Sequence, residues 1–472
     1  MVFEVIKDLS KGLYFFQGKR QTVDSQHYFP VYEPRIGEVV AKCPIADSAT
    51  LQQIVEQASE AQPGWASLSA QERSKVLFKA ADIIRENLEA IAVWEVKTNG
   101  KSIKEARCDI ASSADTFTFY AGVLPAAFKG DYFDLPTNGE NDRFAYTKRE
   151  PFVWLDVLVH GITPSKRLLG KLPLLWLQET VLSTNQAHLH QLGEGETGTD
   201  LCLNEIVRKV SFTGSVATGC KVQQACAQRG IKPVTLELGG KSAFVVFEDA
   251  DISNAVSAAI LANFLSQGEV CTNATRVFVQ EKIVDEFTKK LLIELDKIKV
   301  GDPLKEETNI GATINEQQLN KVIGLVERAK SQGANVLRGG KKIQPEGVEN
   351  GFYFEPAVIN KLSDDWEIVK EEIFGAVLLI LPFESELEVI QRANKTSFGL
   401  ASGIYTKSLN RAHRVAAKLE CGTIYINTYN DTEVHVPFGG FKILDMDAKT
   451  ASSAFMPFHK SRPFTLTFRK RI

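Results

Sequence analysis

The chain has 472 residues, long enough for two or three domains. Its 44% apolar and 24% charged residues are those of a folded globular protein, and a net charge of −3 argues against nucleic acid or an anionic membrane as the main partner. The seven cysteines (Cys43, Cys108, Cys202, Cys220, Cys226, Cys271, Cys421) form no C-x-x-C pair and are odd in number, which predicts a reducing, cytoplasmic setting, no disulfide framework and no metal site. The first residues, MVFEVIKDLSKG, carry two acids and no apolar core of signal-peptide length, and no run reaches the ~18 apolar residues that a membrane span needs.

In chain order, one or two strands are expected around Tyr32 to Lys42. Ser69 and Glu72 have capping-box spacing, and Val76, Leu77, Ala80, Ile83, Ile84 and Leu88 then mark one face at helical period. A second helix is expected over Ser102 to Tyr120. From Arg208 onward strands and helices alternate. The strands are Lys209–Phe212, Val234–Leu238, Ala243–Phe247, Thr275–Gln280, Ser402–Tyr405 and Thr423–Asn427; the helices are Val216–Arg229, Ile252–Leu265, Ile283–Leu295 and Leu409–Leu419. Such alternation predicts α/β layers around largely parallel sheets. Trp154 to His190 is Leu-rich without a clean period, and Ile443 to Ile472 is basic and irregular; both read most simply as loops and a solvated tail.

Four segments carry candidate chemistry. In V-T-L-E-L-G-G-K-S (Val234 to Ser242), Glu237 ends an apolar strand beside paired glycines, a position suited to a general base and equally to a solvated strand end. In F-L-S-Q-G-E-V-C-T-N-A-T-R-V (Phe264 to Val277), Cys271 sits in a polar loop, where nearby backbone N–H groups favour a nucleophilic thiolate; a small packing residue is the plainer alternative. No histidine is close in sequence to support a Cys–His hydrolase. S-F-T-G-S-V-A-T-G (Ser211 to Gly219) is a strand, a turn and a helix start, which aims free N–H groups at an anion such as a dinucleotide pyrophosphate, or is an ordinary turn with Ser215 as N-cap. Gly193, Gly195 and Gly198 spell G-x-G-x-x-G, a weak match because no clear strand precedes it. E-E-I-F-G-A (Glu371 to Ala376) and V-P-F-G-G-F (Val436 to Phe441) mean little alone.

Taken together, in this order and at these spacings, the segments resemble the NAD(P)-dependent aldehyde dehydrogenase superfamily, particularly its betaine aldehyde and 4-trimethylaminobutyraldehyde branch. The resemblance covers Val31 to Pro151 and Arg208 to Phe441. It implies an α/β fold with a Rossmann-type cofactor domain, an α/β catalytic domain and an oligomerisation element. The expected division is 1–236 for cofactor binding, with part of the oligomerisation arm near 125–150; 237–428 for catalysis; and 429–472 returning to the cofactor domain before an altered tail. The resemblance also implies Cys271 as nucleophile, forming a thiohemiacetal and then a thioester, and Glu237 as the base that activates water. Gly214, Ser215 and Gly219 would lie along the phosphates of NAD or NADP, Glu372 would hold the nicotinamide ribose, and Phe374 would pack near the ring. The partners it implies are a small-molecule aldehyde and further copies of the chain.

Three family motifs are missing as written. W-N-Y-P, whose Asn donates to the oxyanion, and K-P-S, whose Lys binds the adenine ribose, belong after Glu150-Pro151-Phe152; S-G-x-G-R-E-N-G belongs after F-G-G-F-K. The genetic code permits them when each codon is read one base early. His160 to Pro164 then permits W-N-Y-P, Leu182 to Ala187 V-Y-K-P-S, and Ile443 to Ala451 S-G-Y-G-R-E-N-G. Segments 153–192 and 443–472 therefore read as frame-shifted family sequence, with the oligomerisation element damaged. Three readings follow: an aldehyde-oxidising enzyme; a catalytically impaired or dead relative, because the oxyanion Asn and cofactor Lys are gone; and a cofactor-independent thioester hydrolase using Cys271, against which the anion-binding turn argues.

Overall fold

The computed structural model describes residues 13–16, 19–22, 28–127, 131–135, 144–147, 155–160, 196–442 and 464–466. Two antiparallel hairpins come first, β1 (Leu13–Phe16) with β2 (Lys19–Thr22) and β3 (Tyr28–Glu33) with β4 (Glu38–Pro44). Four helices follow: α1 (Ser48–Ala66), α2 (Ala70–Glu86), α3 (Leu88–Asn99) and α4 (Ile103–Ala127). Ser69 starts α2 with the expected capping box: its hydroxyl accepts the Glu72 N–H at 3.2 Å and the Glu72 carboxylate accepts the Ser69 N–H at 2.8 Å. The buried face of α2 centres on Leu77, Ala81 and Ile84, so the expected stripe is rotated and Val76 faces outward. This face packs on α4 through Ala106, Ile110, Ala114 and Phe117.

After the ribbon β5 (Tyr132–Asp134) and β6 (Phe144–Tyr146), a three-stranded parallel sheet forms in the order β7-β8-β9. Its strands are β7 (Leu155–His160), β8 (Val207–Thr213) and β9 (Val234–Glu237), with α5 (Glu196–Leu203) and α6 (Val216–Ala227) between them. Strand β7 corrects the reading of 154–190 as loop throughout: the run L-D-V-L-V-H extends beside β8. The rest of that stretch, and all of 443–463, lie outside the described residues. Gly198 lies inside α5; Gly193 and Gly195 lie outside the described residues.

The second sheet has eight strands in the order β12-β15-β16-β11-β10-β17-β18-β19. They are β10 (Ala243–Val246), β11 (Arg276–Gln280), β12 (Asn335–Arg338), β15 (Ala357–Asn360), β16 (Val377–Phe383), β17 (Ala401–Tyr405), β18 (Thr423–Ile426) and β19 (Phe464–Leu466). A small pair, β13 (Lys342–Ile343) and β14 (Tyr353–Phe354), lies apart. All pairs in the large sheet are parallel except β12 with β15. The intervening helices are α7 (Ile252–Phe264), α8 (Val284–Leu295), α9 (Glu316–Ser331), α10 (Glu367–Lys370), α11 (Glu386–Asn394) and α12 (Leu409–Ala416). Strands β10, β17 and β18 are buried along their whole length, as expected for parallel strands covered on both faces. Among the described residues no helix is long and apolar enough to cross a membrane.

Candidate active site

Glu237 is the last residue of β9 and Thr213 the last of β8, and they are register partners. The next residue, Gly214, donates its N–H to the Glu237 carbonyl at 3.0 Å. The candidate base and the turn into α6 therefore share the carboxyl edge of one parallel sheet, where ligands of open α/β sheets bind. Ser215 caps α6, accepting the Thr218 N–H at 3.3 Å. Gly219 is buried, and a Cβ there would lie 2.6 Å from Leu238 Cδ2, so this glycine lets α6 pack closely on the strand exit. Glu237 is itself only 6% exposed, which removes the solvated-strand-end reading.

Cys271 follows α7 in a loop that is polar in sequence but buried in the fold: Cys271 is 7% exposed, and Thr272 and Asn273 are equally enclosed. The loop opens with three successive left-handed residues, Ser266 (φ 48°), Gln267 (φ 47°) and Gly268 (φ 81°). The two non-glycine positions each cost about 1–2 kcal/mol, so the surroundings must hold them. Gly268 is required at its position, because a Cβ would collide with the backbone of Gly375. Beyond the cysteine, the Tyr429 hydroxyl donates to the Thr272 carbonyl at 2.7 Å, and Asn273 donates its side-chain N–H to the Gly268 carbonyl. Burial pushes the Tyr425 and Tyr429 phenols up, so both stay neutral near Cys271.

The E-E-I-F-G loop closes the arrangement. Glu372 accepts the Gly240 N–H at 3.1 Å, and its carboxylate fills the place a Cβ would take on Gly239. A Cβ on Gly240 would collide with the Cys271 carbonyl oxygen. Three segments distant in sequence therefore meet at the paired glycines. Glu237 lies three residues from Gly240, a span of at most about 11 Å along the chain. Phe374 is left-handed (φ 57°), and its carbonyl and that of Ile373 accept the Gln318 side-chain N–H at 2.7 and 3.1 Å.

The whole chain compares closely with known proteins. The aldehyde dehydrogenase family model matches residues 21–163 and 188–461. The chain belongs to the aldehyde dehydrogenase family. It is 42% identical over 464 residues to the 4-trimethylaminobutyraldehyde dehydrogenase of Rattus norvegicus, and 41% identical over 461 residues to that of Homo sapiens, covering 92% of both chains in each case. Its fold superposes on an NAD+ complex of an aldehyde dehydrogenase from Bacillus cereus with a TM-score of 0.88 at 30% identity, covering 96% of each chain. A betaine aldehyde dehydrogenase variant from Staphylococcus aureus superposes at 0.87 and 28% identity, over 97% and 95% of the two chains. The curated relatives are enzymes, and the α/β aldehyde dehydrogenase fold is shown. The family match breaks between 163 and 188, inside the Leu-rich stretch, and runs on to 461, past the Phe441 at which the motif resemblance ends.

Within this aldehyde dehydrogenase, several buried charged groups carry no sequence signal of their own. Lys241 donates to the Ile368 carbonyl at 2.7 Å, and burial holds its ammonium well below the usual lysine range. Arg276 donates to the carbonyls of Lys241, Arg392 and Ala393, pinning β11 to the turn after β9; burial lowers it to about 10. Lys101, Glu95, Asp109, Glu105 and Glu269 form a further group under the cysteine loop. Among the described residues no cluster of His, Cys, Asp and Glu could hold a metal.

Proposed function

We propose that this chain oxidises an aldehyde to a carboxylic acid with a nicotinamide dinucleotide, using Cys271 and Glu237. The supporting observation is the Gly239–Gly240 turn, which seats the Cys271 backbone on one side and the Glu372 carboxylate on the other, three residues beyond Glu237. The residues suit a dinucleotide: a capped helix N-terminus at Gly214–Ser215 faces the sheet edge, and partly exposed Glu372 and Phe374 flank the cysteine loop. When bound, the nicotinamide supplies the hydride acceptor that turns a thiohemiacetal into a thioester. The chain's own residues do the rest. The Cys271 thiolate adds to the aldehyde carbon. The Cys271 backbone N–H would hold the oxyanion, as the family resemblance implies. Glu237 takes a proton from water as it attacks the thioester, releasing the acid and restoring the thiolate.

The relatives' names favour an aldehyde with a trimethylammonium end. Cys271 shares its cluster with Phe398 and Phe438, whose ring faces suit a desolvated cation. NAD is the proposed cofactor, with NADP accepted in its place, and the proposed setting is cytoplasmic. Reduced-nicotinamide absorbance with a panel of aldehydes tests the reaction. Turnover should vanish in Cys271→Ala, and in Glu237→Gln it should fall by about 10²–10⁴ with thioester accumulating. Full turnover by Cys271→Ala would refute the assignment.

The break in the family match supports a second reading, a catalytically impaired relative. The cofactor Lys motif, expected over Leu182 to Ala187, falls in that break, and the oxyanion Asn motif, expected over His160 to Pro164, is missing at its edge; one lost oxyanion donor costs about 10²–10³ in rate. Measurable NAD binding without turnover would select it.

A further inference from the structure

We infer that Glu105 and Glu269 are positioning residues that together hold the Cys271 loop closed from beneath. The inference deepens the proposed reaction and rests on it only for the role of the thiol. Glu105, in the first turn of α4, accepts the N–H of Ser266, the first left-handed residue of the loop, at 3.0 Å across 161 residues of sequence. Glu269, 1% exposed and two residues before the thiol, accepts on both oxygens: the Ile314 N–H at 3.1 Å and the Gln267 side-chain N–H at 2.8 Å. Gln267 donates onward to the Asn99 carbonyl at 3.4 Å, at the end of α3. The strained segment Ser266–Gly268 is thus tied to α3 and α4 on one side and to the strand-free segment at Ile314 on the other. Each tie ends on a buried carboxylate or amide. Lys101 is the cation facing this group, and it is already bound to Glu95 at 3.1 Å and Asp109 at 2.7 Å, with Asp109 also facing Glu105. Burial chiefly raises both positioning carboxylates, Glu105 to about 7 and Glu269 to about 8, so that near neutrality Glu269 is largely protonated and Glu105 about half.

The brace predicts a local effect that general destabilisation does not. Among the described residues, the three other buried cysteines, Cys202, Cys226 and Cys421, are internal controls. Iodoacetamide labelling of the native full chain, read peptide by peptide by mass spectrometry, should show Cys271 alkylated about tenfold faster in Glu269→Ala and Glu105→Ala. The control thiols should keep their wild-type rates. Glu269→Gln, neutral and of the same shape, keeps one of the two acceptors and should restore protection in part. It should also lack the rise in Cys271 labelling that the wild type shows, relative to this variant, above about pH 8. Where an alanine variant does not fold, Gln267→Ala removes the same tie and carries the test. An unchanged Cys271 rate, or a uniform rise at all four thiols, would overturn the brace. Labelling requires no turnover. An inactive protein with a loosened Cys271 would therefore defeat the proposed reaction while leaving the brace standing, and an active one with unmoved labelling would do the reverse.

Discussion

Glu237 and Cys271 stand out in the sequence because each sits in a short, dense motif. L-E-L-G-G-K-S and G-E-V-C are readable since the glycines, the acid and the thiol are neighbours in the chain. Glu105 and Lys101 are not readable in that way: their meaning lies in contacts between α4 and the loop after α7, and an acid inside a helical run looks like any solvated charge; Glu269 stands inside G-E-V-C, but its tie to Ile314 does not show there. The buried pair also sets a pH dependence. Both folded pKa values lie above the ~4.3 of an unfolded Glu. The native state therefore binds more protons than the unfolded chain between those limits. Stability from the neutral, buried forms is complete below about 4.3 and is lost as pH rises to about 8. The melting temperature should fall between pH 6 and pH 8.5 for this reason, and differential scanning calorimetry should show a shallower fall in Glu105→Gln and Glu269→Gln. Equal slopes in all three proteins would contradict the sign.

At the scale of elements, periodicity carries most of the alternating β/α order, since parallel strands are continuous apolar runs between amphipathic helices. Strand β7 escaped because its six residues open a stretch whose composition is otherwise uniform in leucine. The ribbon β5–β6 shows what burial would otherwise have hidden. Tyr132, Phe133, Phe144 and Tyr146 are 62%, 49%, 61% and 69% exposed, with Tyr132 stacked on Phe144. A single two-stranded ribbon is marginal in water, and four exposed aromatic rings favour a covering surface. Pairing with another copy of the chain, proposed from the family resemblance, would supply one. Phe144→Ser with Tyr146→Ser should shift the protein toward monomer in sedimentation velocity if that pairing occurs, and leave the sedimentation coefficient unchanged if it does not.

Across the whole molecule, the family match runs along both sheets but is interrupted between 163 and 188. The residues on either side still form the three-stranded sheet, because β7 precedes the interruption and β8 and β9 follow it. The three-stranded sheet therefore spans the interruption. Restoring the alternative reading frame over 153–192 and 443–472 should raise aldehyde-dependent reduction of NAD by at least about 10², the cost of one oxyanion donor, with little change in how Cys271 is labelled. Transcript sequencing checks the premise directly, and a message encoding H-G-I-T-P without a shift removes it.

The junction at Gly239 and Gly240 also constrains how the protein is made. The turn emerges from the ribosome before the cysteine loop that leans on Gly240, and well before the Glu372 loop that fills the space beside Gly239. A nascent chain halted between β11 and α10 carries the thiol and the base without the Glu372 loop. The junction is thus completed only once translation has passed the third segment.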